Sequence, residues 1–340
     1  MNMPSAQRLS SLMLVLCAVA AGLVCLELGL RAWIPGGTLK RWPNFVLEAR
    51  TVHGERESAR FVHDHILGYR PRTEFRGNGA EPGSGSGAPI LAVGDSYTSG
   101  DEVADDETWP AHLQRLTGRR TLNAGVSGYG FDQAVLRAEL VTLTSPPSVI
   151  VVSFIADDIR RTELSRVWGA EKPYFALDGD RLTLSNVPVP PRPEPQATLN
   201  FWQRTLGYSL LVDFVLRRLH LMHDWFGDHV RVHPAGTGER IACLLTDRLS
   251  ELKRTSGAEI VVLAQYDPVV WQSEAFAAEQ RGMTERLLAC ARERGLATID
   301  SFDMLAAVQG NGGPAGLYVL WHMSGDGNRL IALLVGSALK

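Results

Sequence analysis

Ser96 and His322 are the residues whose types and surroundings could do covalent chemistry. Ser96 lies in Gly94-Asp95-Ser96-Tyr97-Thr98-Ser99-Gly100, a small polar turn that follows the apolar run 88–93. An apolar run closed by glycine predicts a short buried strand. A turn at the C-terminal end of a first parallel strand is where open α/β sheets place their ligands, and its N–H groups can face an anion. A Gly/Ser turn without chemistry reads the same, so the rest of the chain must decide. A serine hydrolase needs a nucleophile, a base, a group that orients the base, and donors for an oxyanion. His322 is the candidate base: it sits in Leu317-Tyr-Val-Leu-Trp-His322-Met-Ser-Gly-Asp-Gly-Asn328, just before the last helical pattern. In this fold class such a loop gathers at the same sheet edge as Ser96. Two further loops follow strand patterns: Asn123-Ala-Gly125-Val-Ser-Gly128-Tyr-Gly130 and Ala156-Asp157-Asp158-Ile-Arg160. The backbone N–H groups of Ser96 and Gly128 are candidate oxyanion donors.

The elements that must position these loops alternate. Strands are expected at about 89–93, 121–123, 148–155, 259–264 and 296–299, and helices at about 107–117, 131–143, 274–294 and 326–339. Ser148–Ile155 is apolar but for its two serines, as a parallel strand buried on both faces should be. The alternation predicts an α/β fold, a three-layer α/β/α sandwich around a five-stranded parallel sheet. Residues 165–245 interrupt the rhythm. Within them, 174–184 reads as a hairpin turning at Asp178-Gly179, 187–195 as a proline-rich extended stretch, and 199–225 as an unusually apolar helix. That helix either packs on the core or serves as a lid or membrane-facing element.

The chain has 340 residues, 45% hydrophobic and 21% charged, which calls for a packed core. A net charge of −3 gives no basic footprint for nucleic acid. Ser11–Leu30 is apolar but for Glu27 and is long enough to cross a bilayer. Trp33 and Trp42 stand where interfacial anchors would. Ala18-Val-Ala20 resembles a signal-peptide cleavage site, but the apolar run continues beyond it, so an uncleaved single-span anchor through residues 11–33 is expected. The charge count around the span (Arg8 on one side; Arg31, Lys40 and Arg41 on the other) leans towards a cytoplasmic C-terminal part. Cys243 and Cys290 are expected as buried free thiols, although an external compartment would permit a bridge. His63 and His65 lack a third ligand. His220, His223, His229 and His233 complete no known metal spacing, so surface or packing roles are expected.

Together GDSYTSG, NAGVSGYG, the loop after the third strand and the late histidine resemble the SGNH (GDSL-type) hydrolase superfamily, over about residues 89–336. The span ending in Glu27-Leu-Gly-Leu-Arg31 and the later Leu67-Gly-Tyr-Arg70 look like its membrane-anchored bacterial members. The resemblance implies a flavodoxin-like SGNH fold, a nucleophilic Ser96, an oxyanion donor at Gly128, a base at His322, and no metal or cofactor. It implies ester hydrolysis, or acyl transfer to or from carbohydrate hydroxyls. It also places the domain in the periplasm, on the bacterial inner membrane. Asp157 stands where the family has an asparagine that donates to the oxyanion, with Asp158 next to it. Val319 and Leu320 stand where the family has the acid that orients the base. Asp326 is a secondary candidate for that acid, and Asp95 and Asp158 are secondary site candidates. The expected organisation is an anchor at 1–34, a juxtamembrane segment with a Gly/Ser linker at 35–87, and a hydrolase-like domain at 88–340 with its insertion at about 165–245. Three functions stay open: an esterase, an O-acyltransferase on envelope glycan working with a membrane-bound partner, and a degenerate glycan-binding or scaffold protein.

Overall fold

The structure, a computed structural model, describes residues 5–33, 41–79, 87–194, 198–309 and 316–339. Lys40 and most of the Gly/Ser linker, residues 80–86, lie outside them. The chain divides into two compact units. One takes residues up to Ala59 and Pro193–His229, and the other Arg60–Arg192 and the chain from Val230 onwards. The second unit therefore starts at Arg60, and of the 165–245 interruption only Pro193–His229 groups with the N-terminal residues.

Helix α1 (Ser5–Trp33) carries an exposed apolar stretch, Ser11–Trp33, long enough to cross a membrane, as a signal sequence would also be. Helix α2 (Phe45–Arg60) follows. Strands β1 (Phe61–Asp64) and β2 (Gly68–Pro71) form a hairpin. Phe61, Leu67 and Tyr69 of this hairpin join the core of the second unit.

The main sheet begins with β3 (Ile90–Val93), followed by the single turn α3 (Ser96–Ser99) and by α4 (Trp109–Thr117). Then come β4 (Thr121–Asn123), α5 (Phe131–Thr144), β5 (Val149–Phe154) and α6 (Ala156–Arg161). Strands β6 (Leu164–Val167) and β7 (Ala170–Glu171) form one small ladder, and β8 (Tyr174–Asp178) and β9 (Arg181–Ser185) the expected hairpin.

The apolar stretch at 199–225 is three helices rather than one: α7 (Phe201–Leu206), α8 (Leu210–Arg218) and α9 (Met222–Phe226). Ser209 restarts the helix by accepting from the Val212 amide, and His220, at φ 56°, breaks it again. The chain continues through β10 (Val230–Arg231), α10 (Thr237–Ser256), β11 (Glu259–Ala264), α11 (Glu274–Glu293), β12 (Ala297–Asp300) and α12 (Phe302–Gln309). It ends in the hairpin β13 (Tyr318–Val319) and β14 (His322–Met323), and in α13 (Gly325–Ala338).

The five sheet strands lie in the order β12-β11-β5-β3-β4, all parallel. All six residues of β5 are buried. Two groups of helices, α4 with α13 and α5 with α10 and α11, complete the α/β/α sandwich. Cys243 and Cys290 are joined in a disulfide, not free as expected: α10 and α11 run side by side and bring the two Cα atoms to 5.4 Å.

Candidate active site

The turn after β3 is built on glycine. Gly94 has φ 156°, and a Cβ there would meet Thr98 Oγ1 at 2.4 Å and the Ser153 carbonyl oxygen at 2.7 Å. Asp95 then caps α3, accepting from the Tyr97 amide at 2.9 Å. This sets Ser96 at the head of the turn, nearly buried, with Oγ 2.9 Å from His322 Nε2 and 3.3 Å from Asp95 Oδ2.

His322 opens β14, and its loop is tied down on both sides. The Tyr97 hydroxyl donates to the Trp321 carbonyl at 2.7 Å, and the Tyr97 and His322 rings lie 5.3 Å apart. Asn328, buried in α13, donates to the Met323 and Ser324 carbonyls and accepts from the Trp109 amide. His322 and Ser96 are thus positioned by separate hydrogen bonds as well as by their own contact.

The group behind the histidine is Glu102. Its Oε2 lies 3.3 Å from His322 Nδ1 and accepts from the Trp321 amide at 3.4 Å. The Nδ1 contact has the distance of an ion pair without the alignment of a hydrogen bond, so the ring nitrogen remains formally unpaired. Catalytic hydrogen bonds are often long or poorly aligned before substrate binds. Glu102 holds φ 71°, an uncommon conformation for a residue with a side chain. The neighbouring Asp101 accepts from Ser127 Oγ at 2.7 Å and pairs with Arg60 at 3.0 Å. One acidic dipeptide therefore links His322 with the loop after β4.

That loop carries Gly128 at φ 81°, where a Cβ would meet Tyr69 Oη at 2.9 Å and Trp168 Cδ1 at 3.1 Å. Tyr69 Oη donates to the Ser127 carbonyl, and the Val126 amide donates to the Gly94 carbonyl, fixing the loop against the turn that carries Ser96.

The two aspartates after β5 separate. Asp157 is half-exposed and pairs with Arg160 at 2.5 Å. Asp158 is buried, accepts from the Ile155 amide at 3.0 Å and pairs with Arg161 at 2.6 Å. Arg161 also lies 3.6 Å from Asp95, so one guanidinium faces two buried carboxylates. Burial raises both carboxyls: Asp158 well above the usual range, with Asp95 adding to the rise, and Asp95 less, with Arg161 opposing. Asp326 is on the surface and faces Arg329, and Ser324 is the cap of α13. It is not beside the base.

No protein-family model matches this chain, and no curated protein sequence is similar to it. Solved structures do share similarity with it. An acetylxylan esterase from Geobacillus stearothermophilus, solved as a catalytic mutant, is 15% identical over 74% of this chain and 93% of its own, with a TM-score of 0.46. A lipolytic protein of the G-D-S-L family from Desulfitobacterium hafniense is 13% identical over 74% and 99%, with a TM-score of 0.40. A member of the lipolytic G-D-S-L family from Veillonella parvula is 15% identical over 73% and 95%, with a TM-score of 0.42.

The structure thus brings together Ser96, His322 and Asp95, with Gly128 on the adjoining loop. It turns Asp157 towards Arg160 and leaves Asp326 elsewhere. Sequence reasoning missed Glu102, Tyr97 and Arg161. The only available signal for Glu102 was its place six residues after the serine. Among the histidines, His63 Nε2 lies 2.9 Å from the Val189 carbonyl oxygen, and His233 Nε2 lies 2.8 Å from that of Phe175. His223 and His229 share Asp228, through Nδ1 contacts of 3.1 and 3.0 Å.

Proposed function

We propose that the chain is a membrane-anchored serine esterase that removes acyl groups from an envelope carbohydrate. The observation that carries this reading is the 2.9 Å contact of Ser96 Oγ with His322 Nε2, backed by Glu102 at Nδ1. In the first half-reaction Oγ bonds to the ester carbonyl carbon while its proton passes to Nε2, and the carbonyl π pair moves onto oxygen. That oxyanion is met by the Ser96 and Gly128 amides. Collapse of the intermediate breaks the bond to the sugar oxygen, which leaves with the proton from His322. Water then repeats the sequence on acyl-Ser96, releasing the acid and restoring the serine. Glu102 stabilises the imidazolium that forms in each half. Asp157, paired with Arg160, contributes no donor, so the oxyanion relies on backbone amides.

Two exposed indoles support a carbohydrate substrate: Trp321, 65% exposed beside the base, and Trp168, 39% exposed against Gly128. Exposed aromatic faces next to a nucleophile suit the apolar faces of sugar rings. The Cys243–Cys290 bridge supports an oxidising compartment, hence a periplasmic unit held at the inner membrane by α1. The presence of Glu102 weighs against a degenerate scaffold. An acyltransferase would use the same acyl-enzyme and differ in its acceptor.

The test is labelling of the full chain in detergent with a fluorophosphonate probe, beside Ser96→Ala and His322→Ala, with aryl acetate turnover followed in parallel. Labelling lost in both variants together with turnover supports the esterase. Labelling with turnover only on adding a glycan acceptor replaces it with the transferase. No labelling of the folded wild type removes both.

A further inference from the structure

The helices α7 and α8 are built inside-out for water. Their buried positions are largely polar or small: Gln203, Gly207 and Asp213 beside Leu210. Gln203 donates to the Trp225 carbonyl, its own carbonyl accepts from Asn44, and Asp213 pairs with Arg217 at 2.7 Å. The large apolar side chains point outwards: Phe201, Trp202, Leu206, Phe214, Val215 and Leu219 are all exposed. A patch of this kind marks a contact surface rather than chance exposure.

The attachment of this patch names the occupant. Glu27 of α1 accepts from Ser209 Oγ and from the Leu210 and Leu211 amides at 2.8–2.9 Å, filling the open donors at the start of α8. Arg31, fully buried, pairs with Glu27 at 2.6 Å, donates to the Tyr208 carbonyl at 2.5 Å and lies 3.6 Å over the Trp42 ring. The apolar stretch of α1 runs to Trp33. At about 1.5 Å per residue, α8 therefore starts about 9 Å short of the end of that stretch. Interfacial helices sink about 5–10 Å into the boundary between headgroups and acyl chains. Arg204 and Arg218 are exposed on the same helices, where they can meet lipid phosphates.

We propose that α7 and α8 lie in the lipid interface of the leaflet at the Trp33 end of α1, as an amphipathic foot clamped to the span by Glu27 and Arg31. This rests on the reading of α1 as a retained span. The test uses the full chain with Cys17→Ala and Cys25→Ala, carrying a nitroxide label at Trp202→Cys, Phe214→Cys, Val19→Cys or Glu285→Cys. The protein is reconstituted in vesicles of phosphatidylethanolamine and phosphatidylglycerol, and accessibility to oxygen and to a water-soluble nickel chelate is read. Oxygen-to-nickel ratios at 202 and 214 several-fold above that at 285 are expected. Ratios equal to that at 285, or exclusion of both reagents by protein contact, would overturn the foot while position 19 remains in lipid. Position 19 outside lipid would instead remove the span itself, and the foot with it.

Discussion

Glu102 sets its carboxylate 3.3 Å from His322 Nδ1, on the edge of the ring opposite Ser96. Ser96 and Glu102 thus come from one short stretch of chain, and His322 from a distant hairpin. If Glu102 orients and stabilises the imidazolium, Glu102→Gln should lower kcat by about 10²–10⁴ and leave KM nearly unchanged. Steady-state kinetics on an aryl acetate checks this, and an unchanged kcat would reduce the proposed machinery to Ser96 and His322.

Gly128→Ala should be costly in two ways. The left-handed φ of 81° costs about 1–2 kcal/mol for a residue with a Cβ. The new methyl would also press on Tyr69 Oη and Trp168 and displace the amide, lowering kcat by about 10²–10³. Urea denaturation and turnover separate the two effects.

Asp157→Asn should raise turnover. The substitution removes a carboxylate held beside Arg160 and supplies an amide that can donate to the oxyanion. A gain of about tenfold is expected, below the full value of one donor because the side chain at 157 is turned towards Arg160. A loss of activity would mean that the Asp157–Arg160 pair itself shapes the site.

Asp158 offers a test by pH. Burial, reinforced by Asp95, lifts its folded-state carboxyl above the ordinary value of 3.8. Between those two values the folded chain binds more protons than the unfolded one, so this group lowers stability as pH rises. Asp158→Asn removes that slope. Urea midpoints measured from pH 4 upwards should show the variant gaining on the wild type as pH increases.

The buried pair of Lys172 and Asp132, at 2.5 Å and both almost inaccessible, ties α5 to the strand region after β7. Lys172→Met strands the carboxylate and should cost about 3–5 kcal/mol in urea unfolding. Adding Asp132→Leu should recover much of that loss, because the uncompensated charge goes with it.

The fold was legible where local chemistry and burial agree. Val149–Phe154 is apolar at all but Ser153 and lies mid-sheet, and Thr121–Asn123 and Glu259–Ala264 appear at the expected residues. Ser96 and His322 were legible because glycine spacing and loop order place them at one edge. Glu102 was not, because its reach depends on a left-handed backbone that no residue type announces. The Cys243–Cys290 bridge depends on helix packing, which spacing alone leaves undetermined. The break after Leu206 hides in Gly207-Tyr208-Ser209, where a cap restarts an apolar pattern that otherwise runs on.

The division of the site has a further consequence. Ser96 and Glu102 travel together on one stretch of chain, and His322 arrives with Asn328 and α13 on another, 226 positions from the serine. A cut in an exposed loop between them would yield two fragments, each chemically silent. If Ser96 and His322 carry the proposed reaction, reassociation should restore turnover, which would then read out directly whether the sheet has closed.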